Sequence, residues 1–237
     1  MVSVEKMKRI AIITARGGSK RIPRKNIREF CGKPIIAYSI DAALSSGMFD
    51  EVMVSTDDPR IGEISLSYGA KVPFYRSAKN SDDHSTTADV LLEVLCEYLK
   101  EGREFDMLAC IYPTAPFVTS GKLTEAVGVF ESIDCDGLMS VVKYDFPPQR
   151  SMIIENDRLK WQYPQHRNTR SQDLVPVYHD CGQFYLCNVS KFLECKTLIF
   201  DNEYPYVVSD LEVQDIDNES DWKIAEMKYR IMDMERG

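Results

Sequence analysis

The densest group of chemically useful side chains in this sequence comes directly after its first apolar run. Ile10–Ile13 has the composition of a strand buried on both faces, and the chain then reaches Gly17 and Gly18. Six cations lie between positions 16 and 28, namely Arg16, Lys20, Arg21, Arg24, Lys25 and Arg28. A buried strand cannot continue into so much like charge, so we expect a loop that faces a polyanion.

The two glycines favour phosphate as the ligand of this loop. Gly17 and Gly18 are expected to let the backbone approach an anion closely and to adopt positive φ. Consecutive amide N–H groups can then form a concavity that cationic side chains surround. We therefore predict a triphosphate site at the carboxyl end of the first strand, where open α/β sheets bind ligands.

Other interpretations of the loop fit less well. A cluster of cations is often only a solvated surface, and that alternative stays open. A Walker A loop would need a glycine where Ile13 stands, and a dinucleotide fingerprint would need a third glycine near Gly17 and Gly18. The sequence thus predicts a phosphate loop of neither type.

A second candidate site lies near the end of the chain. Asp215 and Asp217 flank Ile216, so both carboxylates point the same way on an extended segment. Such hard oxygen ligands suit Mg²⁺, which lowers the pKa of a bound hydroxyl, and Asp215 is also a candidate general base. The alternative is that Asp217 and Asn218 only cap the helix that follows.

Three weaker candidates stand elsewhere in the chain. Arg76 follows an apolar segment, and the hydroxyls of Ser85 and Thr86 precede a predicted helix that they can cap. His179–Gly182 suggests a metal site or a cysteine nucleophile, but no second ligand pair has useful spacing. We predict that Cys181 is part of a pocket wall.

Composition excludes several functional classes. The net charge of −8 and the pI near 5.0 argue against general nucleic-acid binding. Seven cysteines without a C-x-x-C pair predict reduced thiols and a cytoplasmic location. The Met1–Glu5 start lacks a signal-peptide pattern and no apolar run is long enough to span a bilayer, so we expect neither export nor membrane insertion.

Strands and helices alternate through the first part of the chain. The predicted strands are Ile10–Ile13, Glu51–Ser55, Lys71–Tyr75, Met107–Tyr112 and Gly137–Val142. The predicted helices are Pro34–Ser46, Pro59–Tyr68, Ser85–Lys100 and Thr119–Ser132. This alternation predicts an α/β fold with a doubly wound, mainly parallel sheet.

The alternation ends near Tyr144. Residues 145–180 are rich in Pro, Gln and Arg, and we predict a small antiparallel excursion there, a candidate dimerisation arm. Gln183–Cys187 is predicted to return to the sheet, Pro205–Ser209 to be a late strand and Ser220–Ile231 to be the closing helix. Residues 1–237 are therefore predicted to be one domain, with 1–6 as a disordered lead.

Several motifs in order resemble one known family, the CMP-sialate synthetases, which are cytidylyltransferases that activate nine-carbon 2-keto acid sugars. The motifs are Arg16–Ile27, Gly32–Ile40, Ser55–Asp58, Ser85–Asp89, Pro113–Pro116 and Asp215–Asp217, and they cover nearly the whole chain. Tyr112–Phe117, Phe146–Ser151 and His179–Tyr185 are similar to the pseudaminic acid cytidylyltransferase branch.

The resemblance implies a glycosyltransferase-A-like nucleotidyltransferase fold and assigns roles to residues. The implied phosphate and ribose ligands of CTP are Arg16, Gly17, Gly18, Ser19, Lys20, Lys25 and Asn26. Arg76, Ser85 and Thr86 would line the cytosine and ribose end, and Asp215 and Asp217 would bind Mg²⁺. The implied catalytic residues are Arg16, Lys25 and Asp215.

The implied reaction is attack of the sugar's anomeric hydroxyl on the α-phosphorus of CTP, with pyrophosphate expelled. Lys20 and Arg21 are candidates for holding that pyrophosphate. Candidates for contacting the sugar and its carboxylate are Tyr112, Thr114, Lys143, Arg150, Arg167, Arg170 and His179. Sialate-specific relatives carry Gln where this chain has Tyr112, which argues against N-acetylneuraminate as the substrate.

The expected function is thus that of a cytoplasmic, homodimeric pseudaminic acid cytidylyltransferase that serves surface glycan or flagellin glycosylation. CMP-N-acetylneuraminate and CMP-legionaminate synthetases stay open as alternatives. Another sugar-phosphate nucleotidyltransferase is disfavoured because its G-x-G-x-R loop is absent. A non-catalytic nucleotide-binding module on the same fold is the distant alternative.

Overall fold

The computed structural model describes residues 6–82 and 84–236, so most of the predicted lead lies outside the described residues. Within them the strands are β1 (Arg9–Thr14), β2 (Glu29–Phe30), β3 (Lys33–Pro34), β4 (Glu51–Ser55), β5 (Met107–Ile111), β6 (Gly137–Lys143), β7 (Met152–Glu155), β8 (Arg158–Trp161), β9 (Tyr178–Asn188) and β10 (Glu203–Val208). The α-helices there are α1 (Ile35–Ser46), α2 (Pro59–Ser67), α3 (Thr87–Lys100), α4 (Ser120–Ser132), α5 (Val189–Cys195) and α6 (Glu219–Arg236). No helix in the described ranges has the length and apolar character needed to cross a bilayer.

One six-stranded sheet, in the order β10-β6-β9-β5-β1-β4, forms the centre of the fold. β1 runs parallel to β4 and β5, and β10 runs parallel to β6, whereas β9 is antiparallel to both of its neighbours. The predicted mainly parallel α/β sheet is confirmed, with one antiparallel strand in its middle. The carboxyl ends of β1, β4 and β5 therefore lie side by side at one edge.

Alternation along β1 divides the core between the two faces of the sheet. Ile10 and Ile12 pack in a cluster with the apolar face of α3, whereas Ala11 and Ile13 pack in a cluster with α1 and α4. All four side chains are fully buried, as expected for a strand with helices on both faces. The apolar run that opens the sequence is thus the central element of a three-layer core.

A third apolar cluster joins distant parts of the chain. Ile22 from the cation-rich loop and Ile216 from between the two aspartates pack in it with Phe30 and Trp222. The rings of Phe30 and Trp222 meet edge to face, 5.6 Å apart. Arg28 caps the cluster, since its guanidinium lies 4.5 Å from the Trp222 ring and pairs with Glu219 at 2.5 Å. The loop and the end of the chain are therefore held together by apolar packing.

The prediction of a strand at Lys71–Tyr75 was wrong. Only Lys71 pairs with the sheet, through a single bridge to Met53. Two residues later Pro73 has no amide hydrogen to donate, and this ends pairing after one residue. This segment runs past the sheet edge as a loop that leads to Arg76.

The remaining differences concern boundaries and one helix. β9 begins at Tyr178, before the predicted return at Gln183, and α5 was not predicted. Inside the predicted excursion, β7 and β8 form the expected antiparallel hairpin. Helix α3 begins at Thr87, because Thr86 and Asp89 form a capping box that fixes its N-terminus.

A buried carboxylate ties β4 to the residues around it. The Glu51 side chain is only 1% exposed, and it accepts hydrogen bonds from Tyr98 Oη (2.9 Å), Lys71 Nζ (2.8 Å) and Arg103 Nη2 (2.7 Å). Burial by itself would raise the pKa of Glu51, but the hydrogen bonds from Arg103, Lys71 and Tyr98 outweigh it and hold the pKa below its usual value. Glu51 therefore stabilises the fold in its charged form.

We predict that Glu51→Gln lowers the free energy of unfolding by about 3 kcal/mol at neutral pH, because two cations and a phenol lose their charged partner. Because the pKa of Glu51 is lowered in the folded protein, this stabilisation is fully present at pH values above the ordinary glutamate pKa. It is lost as the pH falls through the pKa of Glu51 in the folded state. Denaturant unfolding should therefore show the mutant and wild-type stabilities converging in acid. Glu97→Gln, which removes an exposed pair with Lys100, is the control and should change stability by less than about 0.5 kcal/mol. An equal effect of the two substitutions would contradict this account.

Candidate active site

A cleft of about 580 Å³ opens at the edge where β1, β4 and β5 end. The predicted nucleotide ligands that line it are Arg16, Ser19, Lys20, Lys25, Asn26, Arg76, Ser85 and Thr86. Arg21, Tyr112, Thr114 and Asp217 line it as well. The cation-rich loop, the segment around Arg76, the start of α3 and one member of the aspartate pair thus share one cavity.

The cation-rich loop is held by hydrogen bonds to its own backbone and to the residues after β4. Asp57 Oδ1 accepts the Gly17 amide at 2.8 Å, and Asn26 Nδ2 donates to the Arg16 carbonyl at 2.9 Å. A Cβ at Gly17 would lie 2.9 Å from the Cβ of Asp58, so only glycine fits there. Asp57 was not singled out from the sequence, although it lies within the Ser55–Asp58 motif.

The expectation of positive φ at Gly17 and Gly18 was wrong. Neither glycine has a positive φ, whereas Arg24, in the same loop, has a φ of 54° and lies in the left-handed region. Gly17 is needed for close approach to Asp58, and a Cβ at Gly18 would meet open space. The bend of the loop is therefore made at Arg24, just before Lys25 enters the cleft.

Lys25 connects the loop with the aspartate segment. Its Nζ donates to the Ile216 carbonyl at 2.7 Å. Burial lowers the pKa of Lys25, and the attraction of Asp217 and then Asp215 opposes this effect. The lysine is thus a partly desolvated cation between two carboxylates and the cavity, where an anionic ligand would be attracted more strongly than in water.

Asp217 faces the cleft and Asn218 performs the capping. Arg21 donates to both oxygens of Asp217, at 2.8 and 2.6 Å. Asn218 Oδ1 accepts the amides of Ser220 and Asp221 at the start of α6. Helix capping and a carboxylate in the cleft therefore coexist, because neighbouring side chains perform them.

The aspartate pair offers two carboxylates, which is fewer ligands than a complete metal site has. Asp215 and Asp217 flank the buried Ile216 in a segment outside the strands and helices, and both attract Lys25; of the two, Asp217 lines the cleft and Asp215 does not. Across residues 6–82 and 84–236 no three His, Cys, Asp or Glu side chains are grouped to hold a metal. Mg²⁺ commonly takes one or two carboxylates together with waters and phosphate oxygens, and this donor set fits that pattern.

Arg76 lies half-buried in the wall of the cleft. Its Nη2 donates to the Ser55 carbonyl at 2.7 Å and its Nε to the Ser55 hydroxyl at 3.2 Å. Burial lowers the pKa of Arg76, with the attraction of Asp57 opposing it. A guanidinium held by neutral oxygens in this way keeps its charge available to a ligand.

The start of α3 supplies the hydroxyls of this wall. Thr86 Oγ1 lies 2.6 Å from Asp89 within the capping box, and Ser85 Oγ donates to Asp82 at 2.8 Å. Asn80 and Asp82 also line the cleft and were not singled out from the sequence, whereas Thr87, which lines it too, belongs to the Ser85–Asp89 motif. Their signal was weak, since short polar residues before a helix usually only make turns and caps.

The cations proposed for the sugar carboxylate do not line this cleft. Lys143 ends β6, Arg150 donates to Ser171 at 3.1 Å, and Arg170 pairs with Asp173 at 2.8 Å. His179 packs against the ring of Tyr144, 4.5 Å away. Their predicted role, like that of Arg167, stays a prediction, and within one chain they lie outside the cavity.

Cys181 does not have the environment of a nucleophile. It is half-buried, and burial raises the pKa of its thiol, so the neutral form dominates near neutral pH. This agrees with a reaction that needs no covalent intermediate on the enzyme.

Comparisons with known proteins agree with this geometry. A family described as cytidylyltransferase matches residues 10–142. A pseudaminic acid cytidylyltransferase of Campylobacter jejuni is 38% identical over 95% of this chain and 97% of its own length. A CMP-N,N'-diacetyllegionaminic acid synthase of Legionella pneumophila is 30% identical over 93% of this chain and 95% of its own length.

The fold has a solved counterpart. A CMP:2-keto-3-deoxy-manno-octonic acid synthetase complexed with CTP superposes with a TM-score of 0.69 over 96% of this chain and 99% of its own, at 16% identity. This structural similarity shows the fold alone. The match to the family model, together with relatives at 30% identity or more, shows the family to which the chain belongs. The chain belongs to the cytidylyltransferase family.

Proposed function

We propose that this protein transfers CMP from CTP to the anomeric hydroxyl of pseudaminic acid and releases pyrophosphate. The observation that carries the proposal is the shared cleft, in which the cation-rich loop faces the aspartate segment. The 38% identity to a pseudaminic acid cytidylyltransferase supports the choice of sugar.

The residues of the loop would act by positioning and neutralising the triphosphate. Phosphoryl and nucleotidyl transfer depends mainly on holding the reactants in line and on stabilising charge at the phosphate oxygens. Arg16 and Lys25 are the cations proposed for the reacting phosphate, with Ser19 and Asn26 beside them. Lys20 is proposed for the leaving pyrophosphate, together with Arg21.

Asp215 and Asp217 are the residues proposed to hold Mg²⁺. The ion, when bound, would neutralise phosphate oxygens and lower the pKa of the attacking hydroxyl. Asp215 is in addition the proposed general base, because Asp217 is engaged by Arg21.

Tyr112 supports a sugar other than N-acetylneuraminate. It lines the cleft just after β5, at the position where the family resemblance implies Gln for a sialate-specific enzyme. A CMP-N,N'-diacetyllegionaminic acid synthase is 30% identical to this chain and N-acylneuraminate cytidylyltransferases are 32% to 34% identical, below the 38% of the Campylobacter jejuni pseudaminic acid cytidylyltransferase. These two sugars are the alternative substrates.

We also propose a homodimer in the cytoplasm. The β7–β8 hairpin exposes apolar side chains, among them Ile154 at 76% and Leu159 at 70%, which directly face each other across its strands. A partner seated on the hairpin would cover this surface and bring the cations of residues 143–170 towards another cleft. The seven cysteines are free thiols, in keeping with a reducing compartment.

The substrate prediction is tested with a panel of sugars. Purified protein with CTP and Mg²⁺ should release pyrophosphate with pseudaminic acid at a kcat/KM at least about tenfold above that with legionaminic or N-acetylneuraminic acid. Chelation of the divalent ion should abolish release, because the phosphate charge would lose its counter-ion. UTP and GTP serve as nucleotide controls. Faster release with another sugar would overturn the substrate assignment, and no release with any sugar would overturn the activity.

The role of Lys25 is tested by Lys25→Met, which keeps much of the side chain and removes the charge. We expect kcat to fall by about 100-fold or more, as is typical when a charge-stabilising group is lost. The melting temperature should stay close to that of the wild type, since burial already disfavours the charged lysine. Lys100→Met, at an exposed lysine on α3, is the matched control. Full turnover by Lys25→Met would remove this residue from the mechanism.

The dimer is tested by sedimentation equilibrium. We expect a molar mass near twice the 27.1 kDa of one chain. Ile154→Glu combined with Leu159→Glu should give the monomer, because two adjacent carboxylates would be buried at the interface. Leu66→Glu, at an exposed leucine of α2, should leave the dimer intact. A wild-type monomer, or a dimer indifferent to the hairpin charges, would refute this arrangement.

A further inference from the structure

The segment that carries Asp215 and Asp217 has no regular structure of its own. It runs from the end of β10 to the start of α6, and residues 213–217 lie outside the helices and strands. One short helical turn, Asp210–Glu212, precedes them. A segment without a backbone hydrogen-bond ladder keeps its shape only if other groups satisfy its amides and carbonyls. The positions of the two carboxylates therefore depend on side chains from elsewhere in the chain.

Lys228 of α6 holds the beginning of this segment. Its Nζ donates to the Val213 carbonyl at 2.6 Å and to the Asp210 carbonyl at 3.0 Å. An ammonium group has three donors, so one lysine can satisfy both carbonyls at once. The lysine is half-buried, and the nearer of its two partners stands two residues before Asp215.

Asp221, also on α6, holds the end of the segment. Its Oδ2 accepts the amides of Asp217 at 2.9 Å and of Asn218 at 3.0 Å. Asn218 Oδ1 accepts the Asp221 amide in return, which gives the reciprocal arrangement of a capping box. The bond to the Asp217 amide goes beyond that box, because it fixes the backbone of a proposed metal ligand.

The spacing of the two residues places them on one face of α6. Asp221 and Lys228 are seven positions apart, which is close to two helical turns. Ala225 lies between them on that face, fully buried in the third apolar cluster together with Ile216. A side chain this small allows close approach of the segment to the helix. The carboxylate and the ammonium thus bind amides at one end of the segment and carbonyls at the other.

Two further contacts come from outside α6. The Ile216 carbonyl accepts Lys25 Nζ at 2.7 Å, and the Glu212 carbonyl accepts the side-chain amide of the buried Gln183 in β9. Lys25 lines the cleft, whereas Lys228 does not. The contacts made by α6 can therefore be changed without removing a residue that faces the nucleotide.

We propose that Lys228 and Asp221 are positioning residues, which fix Asp215 and Asp217 for a divalent ion by holding their segment from both ends. This inference rests on the proposed function. Neither side chain lines the cleft, so each would act on the ion only through the backbone of the segment. Groups that orient metal ligands typically change metal affinity by about 10- to 100-fold when they are removed.

The affinity for CTP with and without the ion isolates the role of Lys228. Calorimetric titration with CTP in saturating Mg²⁺ and in EDTA, without sugar, gives two dissociation constants, and their ratio measures the coupling between nucleotide and ion. We expect the EDTA value to exceed the Mg²⁺ value by about 50-fold in the wild type and by about fivefold in Lys228→Met. The dissociation constant in EDTA should stay within about twofold, because the nucleotide contacts are unchanged. Lys223→Met, at an exposed lysine of the same helix, is the matched control and should keep the wild-type ratio.

Asp221→Ala tests the other end of the segment and also serves if Lys228→Met does not fold. It frees the Asp217 amide and breaks the capping box. Asn218→Ala breaks the same box from its other side and leaves the Asp217 amide bonded to Asp221, so it is the matched control. We expect the ratio to fall about tenfold in Asp221→Ala and less than about threefold in Asn218→Ala. A purely structural role would lower the melting temperature of both variants and leave the ratio unchanged.

Two outcomes would overturn the inference while leaving the proposed function standing. One is a folded Lys228→Met protein whose ratio is within about twofold of the wild type. The other is an equal fall of the ratio in Asp221→Ala and Asn218→Ala. A wild-type protein that binds CTP no more tightly in Mg²⁺ than in EDTA, or that releases no pyrophosphate with any sugar, would overturn the proposed function itself. The two failures are therefore distinguishable.

Discussion

The structure depends on one apolar cluster that contains both Ile22 and Ile216 and so brings the cation-rich loop and the aspartate segment together. Both side chains are almost completely buried, in one cluster with Phe30 and Trp222. Full burial of an isoleucine contributes roughly 1.5–3 kcal/mol. By contrast, the ion pair between Arg21 and Asp217 has side chains 69% and 38% exposed, a setting in which ion pairs contribute about 0–1 kcal/mol.

Apolar packing therefore positions the cleft, and its charges remain available for a ligand. Lys25 is bonded to the carbonyl of Ile216, and Arg76 is bonded to neutral oxygens of Ser55. Cations paired with buried carboxylates would gain little from a triphosphate, whereas the side-chain hydrogen bonds of Lys25 and Arg76 go to neutral oxygens and leave both side chains able to attract one. Glu51 differs from these cleft residues, because its carboxylate forms ion pairs with Lys71 and Arg103 and stabilises the fold.

The sequence predicted the α/β class and the loop at the end of β1, because a buried strand followed by cations allows few structures. It did not predict the end of pairing at Pro73 or the helix α5, since a single proline and a seven-residue helix are weak local signals. The bend at Arg24 was also missed, because the backbone of a loop is decided by its tertiary contacts.

The central claim, that one cleft holds the nucleotide on the loop and the divalent ion on the aspartates, is tested most directly by a crystal structure with CTP and Mn²⁺ in place of Mg²⁺. We predict one anomalous Mn²⁺ peak within coordination distance of Asp215 or Asp217, with the triphosphate in contact with Lys25 and Arg16. A metal bound elsewhere, or a triphosphate that leaves the loop untouched, would contradict the account.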